Sequence, residues 1–404
     1  MMDNLEAKTQ SPISRRTFLK AALAGAVLVS GGTVWKAIDQ GVFSAGKGPA
    51  YEAWRDWDAA MDAAPHPMPL IRAAILAANA HNSQPWLFRV TDDTIDLYAD
   101  ISRNLGSMDP LLREMHISLG CAVENLTLAA QANGYKPEVI LMSGEHEQIH
   151  VARIVLTPGE KQITELYQAI PFRHTDRSAF HSKKELPPSL YASLQEQIQE
   201  GDNVAFVWLQ DEPLRTAMGE MIVRATEAII SDAEQSRDSH RWYRHDREVL
   251  HAMKDGTTLD ATGSPVLTRA IGKLFPVSEA TSNQYWLKST RDTQVPTAGA
   301  FGGLLVQSRD RASLMRVGQV FQRMHLWAAA NGWAIQPMNQ PNERMDREQA
   351  SKLTPHFREA MEKLIERPTW HQVFTFRIGY PANHAMPSPR RPAEEVLWKS
   401  ITHN

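Results

Sequence analysis

Apolar residues recur along this chain at two kinds of spacing. Leu112, Met115, Leu119, Ala122, Leu126 and Ala129 follow one another in steps of three and four, as do Leu314, Val317, Phe321, Met324 and Ala328. That period predicts two long helices packed on other helices. Each pattern runs into alanine-rich sequence and then Asn-Gly, at Asn133-Gly134 and Asn331-Gly332. A glycine just past a helix end adopts the left-handed conformation at the least cost. Leu70, Ile71, Ala74, Ile75 and Ala78 predict a shorter helix. β-Rich runs fall at 86–90, 94–98, 139–142 and 150–156, and again at 204–209, 303–307 and 373–378. The two Asn-Gly pairs stand 198 residues apart, close to half of the 404-residue chain. The echo is consistent with an internal duplication of an α+β unit. Chance is the competing explanation, because alanine-rich helix ends capped by Asn-Gly are common.

Composition removes several classes of protein. With 43% hydrophobic and 22% charged residues, the chain is neither disordered nor collagen-like. A mean hydropathy of −0.38 and a single short apolar run exclude a polytopic membrane protein. The net charge of −3 gives no pointer to nucleic acid. The lone cysteine, Cys121, excludes an intramolecular disulfide and a cysteine-rich metal site. It falls on the apolar side of the first long helix, where it is expected to be buried and inert.

The first 45 residues read as an address. Ser14-Arg15-Arg16-Thr17-Phe18-Leu19-Lys20 resembles the twin-arginine export signal, and a small-residue apolar stretch follows from Ala21 to Ser30. The resemblance implies handling by the Tat translocase and a periplasmic or exported protein. Phe43-Ser44-Ala45 makes a poor cleavage site, so an uncleaved anchor stays open. The remainder divides into a first half at 46–160 and a second at 161–404. A polar stretch at 231–300, too long for a plain connection, is expected to form short helices and a lid.

Two motifs carry candidate chemistry. Asn79-Ala80-His81-Asn82-Ser83-Gln84-Pro85-Trp86 follows the short helix and precedes a strand. It sets Asn82, Ser83 and Gln84, all hydrogen-bonding side chains, on a turn held by Pro85. Arg173-His174-Thr175-Asp176-Arg177-Ser178 supplies two arginines four apart with a hydroxyl between them, a donor set that suits a phosphate. Taken alone, the arginine motif is better explained by a solvated loop with salt bridges. His240, His245 and His251 lack the spacing of a helical metal pair, and no metal is expected. No G-x-S-x-G is present, and no G-x-G-x-x-G follows a strand.

Together these motifs resemble the nitroreductase superfamily of FMN proteins, and within it the Acg-like single-chain branch. Asn82-Ser83-Gln84-Pro85-Trp86 matches one family hallmark and Arg173-x-Thr175-x-Arg177 another. The helix at 317–330, the segment Phe376-Arg377-Ile378-Gly379-Tyr380-Pro381 and the tail Pro387-Ser388-Pro389-Arg390-Arg391-Pro392 match further parts. The likeness spans roughly residues 66–400 and is weakest at 231–300. It implies a nitroreductase-like α+β fold in which two fused halves form an intramolecular pseudo-dimer, hence a monomer, with one flavin site between them. Arg173, His174 and Thr175 would then lie at the phosphate and ribityl end, with Arg177 near the ring edge. Asn79, Ala80, Asn82, Ser83 and Gln84 would approach from the first half. Pro337, Met338 and Asn339 would lie near flavin N5, and Arg390 and Arg391 would complete the phosphate site. The family commonly has Pro-Ser where this chain has Ala78-Asn79, which weakens the transfer there. Ser282-Asn283-Gln284-Tyr285-Trp286 faintly echoes the first turn, but Tyr285 replaces the proline and chance explains it.

Two functions follow from the resemblance. One is an FMN-dependent oxidoreductase acting on a small aromatic or quinone acceptor, with no side chain singled out as catalytic. An exported enzyme has no nicotinamide pool, so its donor would be a quinol or a partner reductase. The alternative is a protein that sequesters or stores FMN beneath a cover.

Overall fold

The computed structural model describes residues 31–55, 57, 67–142 and 149–398. The export motif and its apolar run lie outside these residues. The architecture is α+β, as expected, with two four-stranded antiparallel sheets. The first contains β1 (Trp86–Val90), β2 (Thr94–Ala99), β3 (Tyr135–Leu141) and β4 (His150–Pro158), in the order β1-β2-β4-β3. The second contains β5 (Val204–Leu209), β8 (Ala300–Val306), β9 (Ala334–Pro337) and β10 (His371–Gly379), in the order β5-β8-β10-β9. Two short strands, β6 (Tyr243–Arg244) and β7 (Thr257–Thr258), pair in the lid.

The long helices run over Arg113–Ala132 and Arg311–Ala330 and lie between the sheets, in contact with each other. Their crossing is unusually close. A Cβ added to Gly120 would stand 1.9 Å from the Met315 carbonyl oxygen. One added to Gly318 would stand 2.0 Å from that of Ile117. No side chain fits in that space, so the glycines set the separation. Gly120 and Gly318 carry the same offset in sequence as the two Asn-Gly pairs, and each backs onto the other helix one turn away. This is the arrangement a duplicated unit packing on its own copy would give.

Polar groups in the crossing are satisfied across it. Gln322 Nε2 donates to Asn125 Oδ1 at 2.7 Å, and Gln322 Oε1 accepts from the Ala78 N–H at 3.1 Å. Asn125 Nδ2 donates to the Ala73 carbonyl at 2.8 Å. This chain of amides ties the end of the Met68–Ala74 helix, and the turn after it, to both long helices. On the other side Phe321 packs its ring 4.3 Å from that of Phe374 on β10.

Four of the expected strands begin where the sequence pattern placed them, and three begin earlier. β3 starts at Tyr135, directly after the glycine turn, and β8 starts at Ala300. Every residue of β8 is buried, so it has no alternation to detect, and Gly302 and Gly303 weaken its β character. β9 went unpredicted because four residues are too few to show a period. The stretch 231–300 does form short helices, at Ala233–His240, Arg247–Met253, Val266–Gly272 and Glu279–Ser289. The last contains Ser282 to Trp286, so the echo of the first turn is helical and not a turn. No helix among the described residues is long and apolar enough to cross a membrane.

The Gly318→Ala variant is expected to lose about 1–3 kcal/mol or more of stability, because a methyl group cannot enter the crossing without separating the helices. Urea unfolding measures it, with Gly332→Ala as a comparison at a position where a Cβ meets nothing within 4 Å but φ is +74°.

Candidate functional site

A cavity of about 500 Å³ opens beside the helix crossing. Both halves and the lid contribute to its wall. The first half gives Asn79, Ala80 and His81 from the turn, and Ile117, Ser118 and Cys121 from the first long helix. The second half gives Thr175, Arg177, Phe321, Gln336, Pro337 and Asn339. The lid gives Tyr243, Leu259, Ile271, Tyr285 and Trp286. Trp242 is not among them; it is buried beside Leu105, Met108 and Ile229. Cys121 is buried as expected. Its Sγ donates to the Gly318 carbonyl at 3.2 Å, and burial pushes the thiol up from its ordinary value.

The arginine motif splits between two environments. Thr175 and Arg177 face the cavity. Arg177 Nη1 donates to the lid carbonyl of Ala261 at 3.2 Å, and burial pulls the guanidinium down. In the lid, Gly263 has φ +74°, and a Cβ there would lie 2.3 Å from the Ser178 nitrogen. Only glycine allows the lid chain to rest directly on the motif backbone.

Arg173 and His174 point away, into a buried cationic pole shared with the tail. Arg173 Nη2 donates to the Leu76 carbonyl at 3.1 Å, and Nη1 lies 3.4 Å from His325 Nδ1. Arg390 donates to the carbonyls of Ala77, at 3.2 Å, and Pro389, at 3.0 Å, and to Asn82 Oδ1. Its guanidinium lies 5.0 Å from the centre of the Trp54 ring, and His174 meets Trp54 edge-on at 4.6 Å. Among the described residues neither arginine pairs with a carboxylate, and the Nε of each is buried without a partner. Burial, then repulsion from Arg173, pulls Arg390 well down from its ordinary value. Burial and the same two arginines pull His174 down to about 3, so it is neutral. A guanidinium keeps its proton in a protein. Two buried positive charges therefore stand close together without a counter-ion, which is costly unless an anion joins them.

The turn serves as a joint as well as a wall. Asn82 Nδ2 donates to the Gly256 carbonyl at 3.1 Å and to the Pro389 carbonyl at 2.9 Å. Gln84 Nε2 donates to the Lys254 carbonyl at 2.9 Å, and Gln84 Oε1 accepts from the Arg391 N–H at 2.8 Å. The Ser83 carbonyl accepts from Arg103 Nη1 at 2.9 Å. His81, Asn82 and Gln84 all have positive φ, so the turn is held in a strained form by these partners. Asn82, Gln84 and Arg391 thus join the first half to lid and tail, Ser83 meets Arg103 within the first half, and none of the four lines the cavity. Met338 is buried in the second half with Met218 and Met221, although its neighbours Pro337 and Asn339 line the cavity.

One part of the wall had no signal in the sequence. Glu114, from the first long helix, and Glu343, from the Gln340–Ala350 helix, meet His81 there. Burial pushes Glu114 up to about 7 and raises Glu343 well above the usual carboxylate range; burial, then Arg177, pulls His81 down to about 4. The three residues lie in separate segments with no fixed spacing, so only the fold brings them together.

No family model matches the chain. The chain is 23% identical over 330 residues to a Mycobacterium tuberculosis protein named "Putative NAD(P)H nitroreductase Rv3131", covering 81% of this chain and 88% of the relative. It is 25% identical over 336 residues to "Putative NAD(P)H nitroreductase acg" of the same species, covering 81% of this chain and 93% of the relative. Among solved structures, the FMN-dependent nitroreductase NfnB of Mycobacterium smegmatis, in complex with NADPH, aligns at a TM-score of 0.35 and 15% identity over 58% of this chain and 98% of that one. A nitroreductase of Bacteroides fragilis with bound FMN aligns at a TM-score of 0.34 and 13% identity over 60% and 98%.

If the cationic pole is an anion site, inorganic phosphate is expected to raise the melting temperature of the wild type in the flavin-free state. The Arg390→Met variant is expected to melt at or above the wild type without phosphate and to gain less from adding it. Calorimetric melts of both proteins across a phosphate series measure the difference.

Proposed function

We propose that the chain is an FMN-dependent oxidoreductase of nitroreductase type, with its cofactor bound between the two halves. The observation that carries this reading is the pair of buried, acid-free guanidiniums of Arg173 and Arg390 next to a cavity faced by Thr175 and Arg177. An anionic group suits the pole, and a flat polar ring system suits the cavity. The names of the M. tuberculosis relatives point to the same chemistry.

In this reading Arg173 and Arg390 hold the phosphate, with Arg391 and His174 behind them. Thr175 meets the ribityl end. Asn79 and Ala80 approach from the first half, and Pro337 and Asn339 from the second. Bound there, FMN supplies two-electron transfer. The chain's own residues bind, orient and seal. Arg177 is a half-buried cation on the cavity wall and favours negative charge developing beside it. The lid residues Tyr243, Tyr285 and Trp286 exclude water from the same space. The two halves make the site within one chain, so the working form is a monomer.

The twin-arginine motif supports export through the Tat translocase to the periplasm, either cleaved or anchored. Arg15→Lys combined with Arg16→Lys is expected to leave the protein in the cytoplasm on fractionation. Export favours a quinol or partner reductase as donor and a small aromatic or quinone as acceptor.

A second reading is favoured by the lid, which lines the cavity and rests on the motif backbone through Gly263. A flavin so covered would be stored rather than used. Anaerobic spectroscopy separates the two. The enzyme reading predicts one flavin per chain, bleaching by a reduced quinone, and recovery with a nitroaromatic or quinone. Bound flavin that stays oxidised with quinol and NAD(P)H alike would favour storage. A chain that takes up no FMN would contradict both.

A further inference from the structure

The cluster of His81, Glu114 and Glu343 has the composition and spacing of a cation site. One ligand atom from each lies within 4.8 Å of the other two. At ligand distances of about 2.0–2.2 Å, tetrahedral ligands of one ion stand roughly 3.3–3.6 Å apart, so side-chain rotations are needed to close the set.

A second observation points to a missing ligand. Glu343 Oε2 is buried with no hydrogen-bond partner, and so is Oε1 of Gln340, one turn earlier on the same helix. Both residues line the cavity and are more than nine-tenths buried, at 5% and 6% exposure. The neighbouring acids are already served. Asp109 accepts from the N–H groups of Glu114, at 3.0 Å, and Met115, at 2.9 Å. Asp346 pairs with Arg113 at 2.6 Å and also with Arg309. Glu114 has Arg113 at 3.3 Å. Among the described residues of this acid cluster, Glu343 is the one left with an unfilled buried oxygen, and leaving such a group unmade is expensive. A divalent cation would fill it. His81, kept neutral by burial, offers an imidazole nitrogen.

We propose that His81, Glu114 and Glu343 bind one divalent first-row transition cation in the cavity wall. One imidazole and two carboxylates suit zinc or manganese, whereas magnesium prefers oxygen ligands and water. This site does not depend on the flavin reading, since its ligands are distinct from the residues assigned to FMN.

The test uses the full chain, stripped with chelator and desalted, and titrated calorimetrically with Zn²⁺ and separately with Mg²⁺. The expected result is one Zn²⁺ per chain and no magnesium binding. Glu343→Gln and His81→Ala should each weaken zinc binding at least ten-fold. Zinc should raise the melting temperature of the wild type but not of a variant that combines Glu343→Gln with His81→Ala, and circular dichroism checks that each variant is folded. Absence of zinc binding would overturn the proposal, as would zinc binding that survives both substitutions. A protonated-carboxyl infrared band that vanishes in Glu343→Gln, without any zinc binding, would also overturn it, by showing that a proton fills the place of the cation.

Discussion

The close crossing of the two long helices is the constraint on which the molecule depends. Gly120 and Gly318 bring the backbones together, and everything that forms the cavity is positioned from that contact. The Asn125–Gln322 amide pair at the crossing holds Ala73 and Ala78, which fixes where the first-half turn begins. Phe321 on the second helix sets the position of β10. Cys121 and Ile117, beside the glycines, become cavity wall. A larger residue at either glycine would move two sheets and the cavity between them, not one side chain.

The second organising feature is charge without compensation. Two other buried arginines have acids, Arg113 with Asp346 and Arg323 with Glu124 and Asp202, while Arg377 donates to Gln336 Oε1 and to the carbonyls of Gln294 and Ser178. Arg173 and Arg390 have carbonyls, an amide, a neutral histidine and an aromatic face instead. A protein that needed these groups only for packing would gain by pairing them or by replacing them with apolar residues. The proposed phosphate would supply the missing negative charge beside Thr175 and Arg177. The turn at Asn82–Gln84 complements them, since it ties tail and lid to the first half and so holds Arg390 in place.

Much of this was legible in the sequence, for identifiable reasons. The long helices declared themselves by period, and each ends at its Asn-Gly pair. The arginine motif and the proline turn stood out because their residue types sit at short fixed spacings. The lid was legible only as a polar stretch too long for a loop, yet it did form short helices. What was not legible needed the third dimension. The roles of Gly120 and Gly318 are invisible in a helical pattern that already tolerates small residues. Asn82, Ser83 and Gln84 read as ligand-facing because they are polar, but Asn82 and Gln84 bond to lid and tail, and Ser83 to Arg103. Glu114 and Glu343 carry no motif at all and acquire meaning only opposite His81.

The most direct test of the central claim compares FMN with riboflavin on the flavin-free chain by calorimetry. The two ligands share the ring and ribityl chain and differ only in the phosphate. If Arg173 and Arg390 await that phosphate, FMN should bind at least a hundred-fold more tightly than riboflavin, and Arg390→Met should remove most of the difference. Equal affinity for the two ligands, or a preference untouched by the substitution, would contradict the assignment of the cationic pole.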